Sequence, residues 1–260
     1  MKHSFFILIY LIATSTVSAQ EKNFRTTVGL SVGPSIAIGS FASHVIADQN
    51  SGYASNAYDG FKFTLEQNLG KQFGISANFY SIYYTFDLKN FEKSLLIDNR
   101  GIAPDHNLSY ELLGLLNEWN VGVGNIGFYY YKYLGRKKRM LLNFIAAATI
   151  TEMDSPAFVV TIKDASNNLI ERRTIGSAQS WTEVFFLPPF DGFSFETNAR
   201  YFFSKHFAVN SSLYFVNSKG YFDGNAKALL NLSTVNYSAF NFTLGITYTI
   251  FYKEVHNSAP

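Results

Sequence analysis

The sequence predicts an all-β chain that closes into an eight-stranded antiparallel barrel of meander topology, crosses a membrane and carries long loops at one end. Three observations predict it. Apolar residues recur at every second position over four segments and less regularly over four more, each about as long as, or longer than, the roughly 9 to 11 residues a tilted strand needs to cross a hydrocarbon layer. The connections between these segments alternate short and long. The face opposite the apolar one is small and weakly charged. Composition agrees: 47% of the 260 residues are hydrophobic and 17% aromatic, while only 15% are charged, against roughly 25% in an ordinary soluble domain.

Taken in chain order, residues 1–19 come first. Lys2 and His3 precede the apolar run from Phe5 to Ile12, and Val17-Ser18-Ala19 closes the stretch. This is the pattern of a secretory signal peptide cut between Ala19 and Gln20, and its apolar run is far short of the ~20 residues of a spanning helix. The first strand is expected over 27–38, with Val28, Leu30, Val32, Pro34, Ile36 and Ile38 on one face and Thr27, Gly29, Ser31, Gly33, Ser35 and Ala37 on the other. Pro34 has no backbone N–H for the ladder, so a bulge is expected beside it.

The second strand, 59–70, sets Phe61, Phe63, Leu65 and Leu69 against Lys62, Thr64, Glu66 and Asn68. Strands follow over 73–88, 117–133 and 139–153. The 117–133 segment holds Gly122, Gly124 and Gly127 and then Tyr129-Tyr130-Tyr131, which predicts a bulge or phase slip. Residues 193–203 put Phe193, Phe195 and Tyr201 opposite Ser194, Glu196, Asn198 and Arg200, and 207–216 put Val209 and Leu213 opposite Asn210 and Ser212. The last strand, 240–252, alternates without a break from Phe240 to Tyr252.

Three connections are short and polar: Gly70-Lys71-Gln72, Gly135 to Lys138, and Ser204-Lys205. The four between them, about 40–58, 89–116, 154–191 and 218–236, are long. Short periplasmic turns alternating with long external loops are the asymmetry of an outer-membrane barrel, and an even strand number leaves both termini periplasmic. The domain reading is therefore a signal peptide over 1–19, a barrel over 20–252 and a periplasmic tail over 253–260, in the outer membrane of a Gram-negative bacterium.

The chemistry of the faces separates this from a secreted soluble barrel, whose outer surface would be charged. Thr, Gly, Ser, Ala and Asn suit a narrow interior filled by short side chains. Aromatic residues near the strand ends, Phe73, Trp119, Tyr131, Tyr133, Tyr201, Phe203, Tyr248 and Tyr252, match interfacial girdles. With its Gly-rich first strand (Gly29-Leu30-Ser31-Val32-Gly33-Pro34), short inner turns and aromatic last strand, the chain resembles the small outer-membrane barrels. Its general shape is that of OmpA or OmpX, and in particular it is similar to the PorT-like barrels of Bacteroidetes. The resemblance spans residues 24–252 and implies a role in secretion across the outer membrane. It also implies folding by the barrel-assembly machinery, although this chain runs on from Tyr252 as Lys253 to Pro260 where many such proteins end on an aromatic.

On this register Lys62, Glu66, Glu196 and Arg200, with Lys132 as a further candidate, point into the lumen, where charges must pair or reach water. A static network plugging the barrel is the expectation, since eight strands leave room for little beyond their own side chains. Zero cysteines exclude disulfides, thiolate nucleophiles and Cys-ligated zinc, and a net charge of +2 gives no reason to expect nucleic acid. No cofactor or metal site is expected; Asp105 beside His106 is too sparse.

The rival readings are a lipid-modifying outer-membrane enzyme, for which His44 beside Ser43 and His106 near Ser109 are the candidates, and a narrow channel. The basic turn Arg136 to Arg139 reads as a solvated turn. In the third loop, 158–162 and 169–175 flank Asp164 to Asn168 as a projecting hairpin, or alternatively as two further barrel strands, making ten. Leu108, Leu112, Leu113, Leu115 and Leu116 suggest a short amphipathic helix over the barrel mouth. The expected partners are outer-membrane lipid and lipopolysaccharide, with a protein partner at the external loops. The expected function is structural, adhesive or secretion-assembling, without enzymatic activity.

Overall fold

The computed structural model describes residues 25–44, 51–70, 72–97, 107–112, 118–135, 139–154, 158–175, 190, 192–221 and 234–250. The expected signal peptide and C-terminal tail lie outside these residues, as do Asp105, His106, Tyr252 and the basic residues 136–138. In chain order the elements are β1 (Thr26–Ala37), α1 (Gly39–Ala42), β2 (Ala57–Asn68), β3 (Phe73–Thr85), α2 (Leu88–Ile97), β4 (Asn107–Leu112) and β5 (Glu118–Leu134). They continue with β6 (Met140–Asp154), β7 (Phe158–Lys163), β8 (Leu169–Ile175), β9 (Gly192–Phe202), β10 (Phe207–Tyr221) and β11 (Thr234–Thr249).

Eight strands, β1, β2, β3, β5, β6, β9, β10 and β11, form a closed antiparallel barrel in which chain-order neighbours pair and β11 returns to β1. Closure runs from Thr27 opposite Thr249 to Ala37 opposite Ala239. The meander is as expected. The ten-strand alternative is not: β7 and β8 form a hairpin outside the barrel, in a separate sheet of order β4-β7-β8. The hairpin turn is set by Asp164, whose Oδ1 accepts from the Asn168 N–H at 2.8 Å, and by Asn167 at φ 68°, a left-handed conformation asparagine tolerates.

The strands alternate in burial with period two. Leu30, Val32 and Ile36 of β1, Phe193 and Phe195 of β9, and Phe242, Leu244 and Ile246 of β11 are exposed, while Ser31 and Ser35, Ser194, and Asn241, Thr243 and Thr247 on the opposite face are buried. An exposed apolar surface this continuous needs an apolar solvent around it. Among the described residues no helix is long and apolar enough to cross a membrane, so the strands alone present this surface.

The bulge expected beside Pro34 is present: the β1–β2 register shifts between Gly33 and Ser35. The bulge expected in the Gly-rich β5 is absent, and its ladders to β3 and β6 run unbroken from Glu118 to Leu134. Of the three β5 glycines, Gly127 serves close approach, whereas a Cβ at Gly122 or Gly124 would meet nothing within 4 Å. At Gly127 a Cβ would lie 2.2 Å from the Ala146 carbonyl oxygen, and at Gly74 it would lie 2.3 Å from Cζ of Tyr129, its cross-strand partner, whose ring covers the bare backbone.

The second loop also departs from expectation. Helix α2 forms at Leu88–Ile97, with the Asp87 carboxylate accepting from the Asn90 N–H at 3.1 Å as an N-terminal cap. Residues 107–112, expected to be helical, are instead the strand β4, paired with β7 from Asn107 opposite Lys163 to Leu112 opposite Phe158. The sequence Asn-Leu-Ser-Tyr-Glu-Leu also alternates with period two, and the edge of β7 supplies the backbone partner that selects the strand. Residues 113–117 lie outside the described ones.

The lipid-facing assignment predicts that Leu244→Arg, at the middle of the exposed face of β11, destabilises the barrel by about 2–4 kcal/mol in urea unfolding from phospholipid vesicles. A neutral effect would mean that this face meets water.

Candidate functional site

The interior is layered, and two adjacent layers in its turn-end half are ionic. The order of the closed barrel places β2 and β9 four strands apart in either direction, so they stand diametrically opposite. Lys62 and Glu66 lie four apart on the inner face of β2, and Glu196 and Arg200 lie four apart on the inner face of β9. All four are at most 4% exposed.

The two strands run in the same direction, so the pairs meet level by level. Lys62 Nζ donates to Glu196 Oε1, and the Arg200 guanidinium donates in bidentate fashion to Glu66, with Nη1 to Oε2 at 2.7 Å and Nη2 to Oε1. The second pair is the better satisfied. Asn143 Nδ2 donates to Glu66 Oε2 at 3.4 Å and Arg200 Nε donates to Asn198 Oδ1 at 3.0 Å, whereas Glu196 Oε2 has no hydrogen-bond partner among the described residues. The Lys62 ammonium lies 5.7 Å from the Tyr214 ring centroid, a further attraction for its charge. Lys132, the other candidate, is exposed on the outer side and takes no part.

Above the ion pairs, Asn125 Oδ1 accepts from Thr149, Ser194 and Tyr214 at 2.7, 3.1 and 3.0 Å, joining β5 to β6, β9 and β10. Towards the loop end the lining becomes aromatic, which the expectation of short interior side chains did not anticipate. Tyr80, Tyr84, Tyr214 and Tyr237 are buried there, with Tyr84 hydroxyl bonded to Ser35 at 2.5 Å and to Tyr237 at 2.8 Å.

Phe41 of α1, fully buried, closes this layer. Its ring meets those of Tyr84, Tyr237 and Trp119 edge-on at 5.0, 5.1 and 5.8 Å. Trp119 was expected in an outer girdle but is buried inward, and its indole N–H donates to the Gly52 carbonyl at 2.8 Å. Gly52 is held against Phe41 so closely that a Cβ would lie 2.5 Å from the Phe41 carbonyl oxygen. Tyr131 and Tyr133, also expected in the girdle, face inward to Asn68 and Arg25 at the turn end. Phe73, Tyr201, Phe203 and Tyr248 are exposed, as a girdle requires.

His44 Nδ1 lies 3.1 Å from Asp87 Oδ2 and clasps the first loop to the start of α2. Asp87 carries no sequence signal beyond its N-cap position before the helix. Beside it, Ser51 Oγ donates to Ser43 Oγ at 2.9 Å. His206 is exposed in the β9–β10 turn.

No family model and no curated relative matches the chain. Solved structures do resemble it. The attachment invasion locus protein Ail of Yersinia pestis is 8% identical and aligns over 89% of this chain and 100% of that one, with a TM-score of 0.37. The outer membrane protein OprG from Pseudomonas aeruginosa is 10% identical over 88% of this chain and 95% of that one, at 0.40. A major outer membrane protein from Thermus thermophilus is 10% identical over 87% and 99%, at 0.41. No residue role is carried over from any of them.

For the ion pairs, Arg200→Met leaves Glu66 buried and uncompensated and is expected to cost about 3–5 kcal/mol, with Lys62→Met at the lower end of that range. The double variant Glu66→Met/Arg200→Met is expected to recover most of the loss. Additive losses in a double-mutant cycle would show that the two groups do not interact.

Proposed function

We propose that this chain is an outer-membrane barrel whose lumen is closed to diffusion and which works through its external loops as a structural, adhesive or secretion-assembling component. The observation that carries this reading is the contact of Lys62 with Glu196 and of Glu66 with Arg200 across the full width of the lumen. With the interior spanned by paired side chains, a partner meets the protein at its loop end. There two loops combine into the β4-β7-β8 sheet, a built surface in place of three separate strands. The loop end faces outward and the short turns and both termini face the periplasm, in keeping with a signal peptide over 1–19 and a tail over 253–260.

The exposed apolar face takes outer-membrane lipid and lipopolysaccharide as its solvent, and the barrel-assembly machinery is the route by which such a closed sheet enters the membrane. The PorT-like resemblance favours secretion assembly among the three roles.

The test has two arms. In planar bilayers the purified protein is expected to give no discrete conductance steps; steps would establish a channel. In cells, replacing residues 158–175 by a short Gly-Ser linker is expected to leave a barrel whose gel mobility still shifts on heating, while reproducing the phenotype of the gene deletion. A loop replacement without phenotype, beside a deletion that has one, would overturn the loop reading.

The enzymatic rival rests on the His44–Asp87 pair, since an imidazole oriented by a carboxylate is the arrangement of a general base. We read it as a clasp between loops. His44→Ala and His106→Ala are expected to leave the lipid A mass spectrum unchanged, and an altered acylation pattern would establish the enzyme.

A further inference from the structure

The outer wall over β1 is a trough. Its floor is Val28, Leu30 and Val32, and its walls are Phe61 of β2, opposite Val32, and Ile246 and Tyr248 of β11, opposite Leu30 and Val28. The groove measures about 730 Å³ and its lining is almost entirely hydrocarbon. At Gly245 the backbones of β11 and β1 meet closely, since a Cβ there would lie 2.0 Å from the Leu30 carbonyl oxygen. The groove runs along the strands. From the level of Thr26 to Val32 its length is roughly 20 Å, enough for the ~15 Å of hydrocarbon in one leaflet.

One end of the trough lies beside the β9–β10 turn. The Tyr248 wall meets the His206 ring at 5.9 Å, His206 Nδ1 lies 3.2 Å from the Thr249 carbonyl oxygen, and Phe207 packs on Tyr248 at 4.8 Å. These contacts set the exposed β9–β10 turn, in which Lys205 precedes His206, against the Tyr248 wall at one end of the groove.

An apolar trough the length of one leaflet, ending at a cationic turn at interface height, is complementary to one amphiphile: an acyl chain joined to a phosphate. We propose that this trough is a binding site for a single glycerophospholipid of the leaflet at the turn end, with one acyl chain over Val28, Leu30 and Val32 and the phosphate at Lys205 and His206. The proposal rests on the reading of the barrel as spanning the membrane.

The test is native mass spectrometry of the detergent-purified full chain, delipidated and then supplied with palmitoyl-oleoyl phosphatidylglycerol or with diacylglycerol of the same chains. Wild type is expected to retain one phosphatidylglycerol per chain. Val28→Trp/Val32→Trp, which fills the trough from its exposed floor, is expected to lower that occupancy at least tenfold, while Leu213→Trp, an equal addition on the exposed face of β10, leaves it unchanged. Lys205→Ala/His206→Ala is expected to lower phosphatidylglycerol occupancy at least fivefold without affecting diacylglycerol.

No retained lipid on wild type, or equal retention by the trough-filled variant, would reduce the site to annular lipid and overturn the proposal. Equal retention by the turn variant would overturn the phosphate assignment. Each variant is first checked for a heat-dependent shift in gel mobility and for recovery in the membrane fraction. Failure of both in wild type would instead refute the membrane reading itself.

Discussion

The pairing of β1 with β11 is the contact on which the other features depend. A sheet left open there would expose two rows of backbone N–H and C=O groups, and in hydrocarbon each unpaired group costs several kcal/mol. The seam is sealed from Thr27–Thr249 to Ala37–Ala239, and it is extended at the turn end by the Ile250 N–H donating to the Thr26 carbonyl at 2.8 Å. Once the sheet is closed, every residue on a barrel strand faces either the outside or the lumen, and its position in a period of two decides which.

Closure explains why the charges lie where they do. Lys62, Glu66, Glu196 and Arg200 occupy inward positions, and a one-residue slip of either strand would turn both of its charges to the outside. Each acid therefore meets a base from the opposite wall, with complementary order on the two strands. The pairs fix the register of β2 relative to β9 even though these strands share no backbone hydrogen bond. The aromatic layer does comparable work at the loop end, where Phe41 brings the first loop into contact with β3, β5 and β11 through Tyr84, Trp119 and Tyr237.

Much of the barrel was legible in the sequence because the signal for a strand in a closed barrel is local. Alternation over 27–38, 59–70, 193–203 and 240–252 needs only neighbouring residues to be recognised, and the inward placement of Lys62, Glu66, Glu196 and Arg200 follows from the same count. Their pairing does not, since it depends on barrel order. What the sequence hid is non-local. Trp119 reads as a strand-end aromatic until Gly52, 67 residues away in the chain, supplies the carbonyl for its indole. Residues 107–112 fit a helix or a strand until β7 offers an edge. Gly127 of β5 reads as part of a bulge because its role, close approach to β6, is visible only when that strand is in place. Asp87 carries no mark of its partnership with His44, which is made between two loops.

The central claim is that the even-numbered residues of β11 face hydrocarbon and the odd-numbered ones face a closed interior. The chain has no cysteine, so single cysteines introduced from Phe240 to Tyr248 carry a nitroxide label without background. In lipid vesicles, electron paramagnetic resonance compares collision with membrane-soluble oxygen and with a water-soluble nickel chelate. Oxygen accessibility is expected to peak at 242, 244 and 246 and to fall at 241, 243 and 247, with the nickel chelate excluded from all six. Access of the chelate to 242, 244 and 246 would place that face in water and contradict the account.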